Sequence, residues 1–218
     1  MPHIRTFHPR RGRMSAAQLD ALENLVPRHT VPAGVLDVTS VFDGRPVVVE
    51  IGFGLGDATI EMATSDRSTG IVAIDVHTPG VARLAMAVDR LGLDNVLVVC
   101  DDAVEFLRDR VPERSLAGIR VFFPDPWPKA KHHKRRLVRP DLVSLMASRL
   151  VPGGVLHCAT DWTEYAEVMR EVLDAEPLLD NAYGGDAPRL DRPMTKFELT
   201  GLQKGHPVVD LVYVRVAG

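Results

Sequence analysis

The chain has 218 residues, 45% of them hydrophobic and 25% charged, which suits one globular domain with a full-sized core and is too apolar for a disordered chain. A net charge of −3 does not announce a nucleic-acid binder, and the longest apolar runs, such as Val96 to Cys100, are too short to span a membrane. Cys100 and Cys158, the only cysteines, sit in apolar, strand-like segments, which argues for a reducing compartment and against a disulfide scaffold.

The first nineteen residues carry Arg5, Arg10, Arg11 and Arg13 and no acid, and they lack the apolar stretch of a secretory signal. An Arg-rich transit peptide, a solvated tail and a tail that touches phosphate all stay open on composition. Ser15 followed by Gln18 fits a capping box that opens a helix through about Leu25. Val31 to Arg45 reads as a connection. Val47 to Ile51 is an apolar run but for Glu50 and reads as a buried parallel strand. The predicted elements then alternate: helix over Gly56–Ala63, strand over Gly70–Asp75, helix from Pro79 to Leu91, strand over Asn95–Cys100, helix from Asp102 to about Arg110, strand over Leu116–Phe123, helix over Pro140–Leu150, strand over Val155–Ala159 and helix over Thr163–Leu173. Pro152-Gly153-Gly154 marks a tight turn, Leu178 to Pro193 is loop-like, and Val208 to Val214 closes as a strand. Repeated β-α units predict a doubly wound, mostly parallel α/β sheet, Rossmann-like, with helices on both faces. Residues 1–14 are read as a basic, flexible N-terminal extension and 15–218 as one domain.

Glu50-Ile51-Gly52-Phe53-Gly54-Leu55-Gly56 follows the first strand and opens a helix. Glycines there let backbone approach a ligand closely and adopt positive φ. The dinucleotide pattern would put its third glycine one residue later, where Asp57 stands, and an acid beside a pyrophosphate is unfavourable. A ligand with an ammonium-bearing amino-acid end tolerates Glu50 and Asp57 better, and S-adenosylmethionine (SAM) has such an end. Asp75 ends the second strand, suitably spaced to bind two ribose hydroxyls. Asp102 could reach an adenine, or could simply cap its helix with Glu105 three residues on.

Phe122-Phe123-Pro124-Asp125-Pro126-Trp127-Pro128-Lys129 is the most unusual stretch. Ligands of open α/β sheets bind outside the carboxyl ends of strands, and two prolines there fix the backbone around Asp125. A plainer reading is a Pro-rich turn with Asp as a turn former. The run that follows, Lys129 to Arg139, holds Lys129, Lys131, His132, His133, Lys134, Arg135, Arg136 and Arg139 and no acid. A carboxylate beside such a field reads as base recognition next to phosphate binding. No other His or Cys has ligand spacing near His132 and His133, so no metal is expected.

These motifs, in this order, resemble the bacterial tRNA (guanine-N7)-methyltransferase family, a SAM-dependent group within the class I methyltransferases. The resemblance runs from IRTFHPRRGRMSAAQ through EIGFGLG, AIDVHTPGV, FFPDPWPKAKHHKRR and ATDW to TKFE, nearly the whole chain. It implies transfer of a methyl group from SAM to N7 of guanine in the tRNA variable loop, leaving S-adenosylhomocysteine (SAH). By this resemblance Glu50, Gly52, Gly54, Gly56, Asp75, Asp102 and Asp125 line the SAM site, with Asp125 also catalytic. Lys129, Asp161, Thr195, Lys196, Phe197 and Glu198 contact the substrate, and Lys131, His132, His133, Lys134, Arg135 and Arg136 meet RNA. Asp75 stands where many members have Glu, so its ribose contact is expected to be longer or shifted; Pro128 replaces a more variable residue with little consequence. Asp161 with Glu164 could instead cap the next helix, and Thr195 to Glu198 could be a strand edge, though Phe197 between charges hints at stacking. The expected partner is tRNA, with no membrane and no metal, in the cytoplasm; a monomer is expected, with a homodimer left open.

Guanine N7 carries an in-plane lone pair and no proton, so no general base is needed. Rate is expected from alignment and desolvation, with a fixed carboxylate stabilising charge on the purine or reading its N1–H and 2-amino edge. Asp125 or Asp161 is expected to do one of these, with Glu198 in reserve. A nicotinamide-dependent oxidoreductase would explain the glycine loop and Asp75 but not Asp57, the basic run or PDPW. A non-catalytic RNA-binding scaffold would leave the acids of the glycine loop and strand ends without a task. Methylation of an exocyclic amine of RNA would need a group that accepts a proton after attack, and the sequence leaves that possibility open.

Overall fold

The computed structural model describes residues 6–7, 13–189, 192–194, 198–199, 205 and 207–217. Seven strands form one sheet in the order β3-β2-β1-β4-β5-β7-β6. They are β1 (Val47–Ile51), β2 (Gly70–Ile74), β3 (Val96–Val99), β4 (Leu116–Phe122), β5 (Leu150–Thr160), β6 (Leu179–Asn181) and β7 (Val209–Arg215). Strands β1 to β5 run parallel, while β7 lies antiparallel between β5 and β6. The helices are α1 (Ala16–Asn24), α2 (Asp57–Ser65), α3 (Thr78–Leu91), α4 (Ala103–Arg110), α5 (Pro140–Arg149) and α6 (Thr163–Asp174), with 3₁₀ turns at Val26–Arg28 and Ala130–Arg135.

The apolar strands are buried on both faces because helices cover both. On one face Val49, Val72, Ile119 and Leu211 pack with Phe106 of α4, Met146 of α5 and Tyr165 and Met169 of α6. On the other, Ile71, Ala73, Val96 and Val98 pack with Ala63 of α2 and Val81, Leu84 and Val88 of α3. The capping box opens α1 as its spacing predicts: the Gln18 amide donates to Ser15 Oγ at 3.2 Å, and the Ser15 amide to Gln18 Oε1 at 3.0 Å.

Three expectations change. The tight turn at 152–154 is a bulge inside β5, where Leu116 opposes Leu150 and Gly118 already opposes Val155. The loop from Leu178 contains β6, a three-residue strand that borrows its pairing from the edge of β7 and is too short to show a period. Cys100 lies just past the end of β3 and is exposed, whereas Cys158 is buried in β5. Among the described residues no helix is long and apolar enough to cross a membrane.

The strand order reverses between β1 and β4, which diverge to opposite halves of the sheet. Loops leaving their carboxyl ends part there and leave a crevice, the usual ligand position in open α/β sheets.

Candidate functional site

That crevice is a cleft of about 480 Å³, lined by the glycine loop after β1, by Asp75, Val76 and His77 after β2, by Asp101 and Ala103 after β3, and by Phe123, Pro124 and Asp125 after β4. Thr6 and Phe7 of the N-terminal segment also line it.

The glycine loop is built on backbone that side chains disfavour. Gly52, Gly54 and Gly56 have φ of +77°, +63° and +79°. A methyl group on Gly52 would meet nothing within 4 Å and would occupy open cleft, while one on Gly80 of α3 would sit 1.9 Å from the Gly54 carbonyl oxygen. One glycine thus keeps the floor of the cleft clear and another lets α3 seat against the loop. Asp75 braces the same loop: Oδ2 accepts from the Gly54 amide at 2.8 Å and Oδ1 from the His77 amide at 2.8 Å. Both oxygens of the short Asp side chain are thus drawn onto backbone amides of the loops.

Glu50, next to last in β1, is 3% exposed, and its Oε2 has no hydrogen-bond partner among the described residues. Burial pushes its carboxyl upward; the Thr59 hydroxyl and the Arg120 charge pull it down, and Asp75 adds to the rise. Asp102 does cap α4, its Oδ1 accepting from the Val104 amide at 2.8 Å, and the residues on either side of it, Asp101 and Ala103, line the cleft. Asp57 pairs with Arg83 at 2.5 Å, so the charge that counts against a pyrophosphate is partly offset.

The loop after β4 is held rigid from several directions. Phe123 and Trp127 both adopt positive φ, +51° and +45°, a strained conformation for bulky side chains that persists only when the surroundings enforce it. The Phe123 amide donates to the Ala159 carbonyl at 2.8 Å. Arg136 donates from Nε to the Pro126 carbonyl at 2.8 Å and forks onto Glu164 at 3.0 and 2.6 Å. The Trp127 indole is 4% exposed, donates to the Thr6 carbonyl at 3.3 Å, and carries the Arg135 guanidinium 4.9 Å over its ring. Asp125, between these anchors, lines the cleft. The indole is thus an internal prop and not a displayed surface.

The basic run becomes the 3₁₀ turn Ala130–Arg135, which sorts its side chains. Lys129, Lys131 and Lys134 are exposed. His132 packs its ring against Trp127 at 5.6 Å, and His133 turns Nε2 into the interior. Arg136 corrects the sequence expectation: at 2% exposed and spent on Pro126 and Glu164, its guanidinium cannot reach a phosphate on the surface.

Asp161 and Lys129 lie beyond the cleft lining, past the ends of β5 and β4. A capping role for Asp161 does not hold, because the N-cap of α6 is Trp162, without a side-chain cap, and Glu164 is taken by Arg136. Thr195, Lys196 and Phe197 lie outside the described residues. Glu198 is a second correction: at 1% exposed it bonds Arg189 at 2.8 Å and Arg192 at 2.5 Å, so its carboxylate faces an internal arginine cluster and not the cleft. Arg192 also bridges to Asp210 at 2.7 Å and lies 5.4 Å over the Phe123 ring, tying this segment to the loop after β4. Desolvation works against the Asp210 charge, but Arg192 and His157 outweigh it and hold the carboxyl down at about 2. Arg120, Asp101, His77 and Arg192 are the residues that sequence reasoning passed over; an arginine inside the apolar strand Ile119-Arg120-Val121 was the one legible signal among them.

The donors of this cleft fit SAM. Glu50 Oε2, enclosed and without a hydrogen-bond partner among the described residues, suits an ammonium, a glycine floor suits close approach, and Asp75 just past β2 suits a ribose.

Comparison with known proteins agrees with this geometry. Residues 44–211 match a family model described as a putative methyltransferase. The chain is 52% identical to the tRNA (guanine-N(7)-)-methyltransferase of Streptomyces avermitilis, over 98% of this chain and 76% of that protein. It is 46% identical to the enzyme of that name from Nitrosospira multiformis, over 100% of this chain and 97% of that protein. Among solved structures it resembles the 16S rRNA methyltransferase KamB, with a TM-score of 0.55 at 16% identity over 87% of this chain and 99% of that one. It also resembles SMU.1697c of Streptococcus mutans, solved with SAH, with a TM-score of 0.52 at 12% identity over 93% of this chain and 100% of that one. At such identities the structural likeness speaks for the fold alone.

Proposed function

This chain belongs to the tRNA (guanine-N(7)-)-methyltransferase family, and from that premise we propose that it methylates N7 of the variable-loop guanine of tRNA. SAM supplies the methyl group on a sulfonium, and SAH is the product. The observation that carries this reading is the placing of Asp125, on a backbone locked by Arg136 and Trp127, at the wall of the cleft that holds Glu50 and the glycine loop.

Glu50 meets the ammonium of the amino-acid end. Asp75 uses its remaining lone pairs on the ribose hydroxyls, since a carboxylate has about four such sites and two are given to Gly54 and His77. Asp102 and its neighbour Asp101 serve the adenine end. N7 needs no base to free its lone pair, so the chain's task is to align and dehydrate the reacting atoms. Asp125 lines the cleft and takes the role next to the purine, stabilising the positive charge that moves onto the ring or accepting from its N1–H and 2-amino group. Asp161 and Lys129, beyond the lining, contact the nucleotide from outside, and Thr195, Lys196 and Phe197 share that task. Lys131 and Lys134 meet phosphates, with Arg135 contributing the face it does not lay on Trp127. The target guanine is unstacked from a single-stranded loop, where extrusion costs least. Residues 1–14 form a basic extension to a single catalytic domain, 15–218, which acts as a cytoplasmic monomer without a metal.

The test is to incubate the protein with SAM and unmodified tRNA and to map the modified nucleosides. We expect 7-methylguanosine at one variable-loop position. Methyl groups on another atom, or none, would overturn the reading.

A further inference from the structure

Glu50 poses an electrostatic problem. Its carboxylate is enclosed, Oε2 has no hydrogen-bond partner among the described residues, and burial drives such a group toward its neutral form. A neutral carboxyl holds an ammonium poorly. The acids around it worsen matters: Asp75 from β2 acts on it directly, and Asp57 of α2, Asp101 after β3 and Asp125 after β4 line the same cleft. From α2 the nearest group is the Thr59 hydroxyl, which is uncharged, and Asp57 is already paired with Arg83.

The opposing charge comes from the next strand. Arg120 is the Cα partner of Glu50 in the parallel β1–β4 register. Registered residues of neighbouring strands stand about 4.8 Å apart and project from the same face. Arg120 is itself only partly exposed, and burial works against its charge, so a guanidinium there is costly unless it is used. Its Nη1 is enclosed and without a hydrogen-bond partner among the described residues, so the two side chains act on each other through space and not as a closed fork. The other acid acting on Arg120 is Asp66, just past α2.

We propose that Arg120 is a positioning residue for cofactor binding: from β4 it holds the enclosed Glu50 side chain in its anionic form, so that the cleft offers a negative charge to the amino-acid end of SAM. The proposal rests on reading the cleft as the SAM site. Arg120 does not touch the cofactor, and its effect passes wholly through Glu50.

The experiment measures dissociation constants of SAH, and of 5′-methylthioadenosine, which lacks the amino-acid end, across pH. It compares wild type with Arg120→Met, Arg120→Lys and Glu50→Gln. The titration of the ligand amine is common to all variants, so the ratio to wild type isolates the protein. Without Arg120, Glu50 should titrate higher: Arg120→Met should bind SAH about tenfold more weakly at the acid end of the range, the gap closing as the pH rises and Glu50 ionises. Arg120→Lys should stay within about threefold of wild type, and 5′-methylthioadenosine should bind wild type and Arg120→Met alike. A deficit of equal size at every pH, or one shared by 5′-methylthioadenosine, would overturn the proposal while leaving the cleft as the SAM site. Glu50→Gln binding SAH as well as wild type would remove the assignment of Glu50 in the cleft, and the proposal with it. Should Arg120→Met not fold, infrared difference spectra of wild type against Glu50→Gln decide: a protonated-carboxyl band from Glu50 at neutral pH overturns the proposal, and its absence supports it.

Discussion

The loop after β1, set between Glu50 and Asp57, and the loop after β4, which carries Asp125, line the same cleft but are built in opposite ways. The first uses glycines at positive φ, whose backbone can approach a ligand because nothing projects from it. The second uses Phe123 and Trp127 at positive φ, where bulky residues are strained, and holds them with an indole, an arginine and two prolines. One half of the cleft makes room and the other makes rigidity. That division suits a reaction in which one reactant is enclosed and the other must be aimed.

Substituting one residue in each half sharpens the contrast. Asp125→Ala should lower turnover by about 10²–10³-fold, the usual range for losing one preorganised charge-stabilising group, with tRNA affinity unchanged. Wild-type-like single-turnover rates would take Asp125 out of the chemistry. Gly52→Ala should weaken SAM binding by about tenfold, because the methyl group enters the cleft and the loop relaxes away from a left-handed backbone that costs a non-glycine residue about 1–2 kcal/mol. Its turnover at saturating SAM should fall far less than that of Asp125→Ala; equal losses would erase the distinction between the halves.

The smallest effects separate Arg136 from the exposed lysines of the basic run. Arg136→Ala should cost about 1–3 kcal/mol of stability through the lost bond to Pro126, seen as a lower Tm, with the salt dependence of tRNA binding unchanged. Lys131→Ala with Lys134→Ala should leave Tm alone and flatten the slope of log affinity against log salt by about one per contact. A changed slope in Arg136→Ala would return that residue to the RNA surface.

The same basic run shows what the sequence made legible. The β-α rhythm, the glycine loop and the capping box of α1 are local patterns, and each lies within a residue or two of its predicted place except β5, which starts at Leu150 and not at Val155. Arg135 and Arg136 look alike in sequence because the direction of each side chain in a six-residue 3₁₀ turn is set by what the turn packs on, Trp127 on one side and Glu164 on the other. β6 escaped notice because three residues carry no period, and the bulge in β5 because Pro-Gly-Gly reads as a turn. Glu198 reads as a charge beside an aromatic until Arg189 and Arg192 enclose it. Asp102 satisfies its capping pattern, yet only the structure puts Asp101 on the cleft wall. Position at strand ends pointed to Asp75, Asp102 and Asp125 as ligand-facing, and the resemblance to the family gave each matched residue its expected role.

Trp127 and Trp162 are the only tryptophans in the chain. The first props the loop that carries Asp125, under Arg135 and His132, and the second sits directly after Asp161, at the head of α6. Both intrinsic fluorophores therefore flank the two carboxylates in question, and the emission of the unlabelled protein is a local gauge of this one corner. Removing either indole would assign the signal to one side of it.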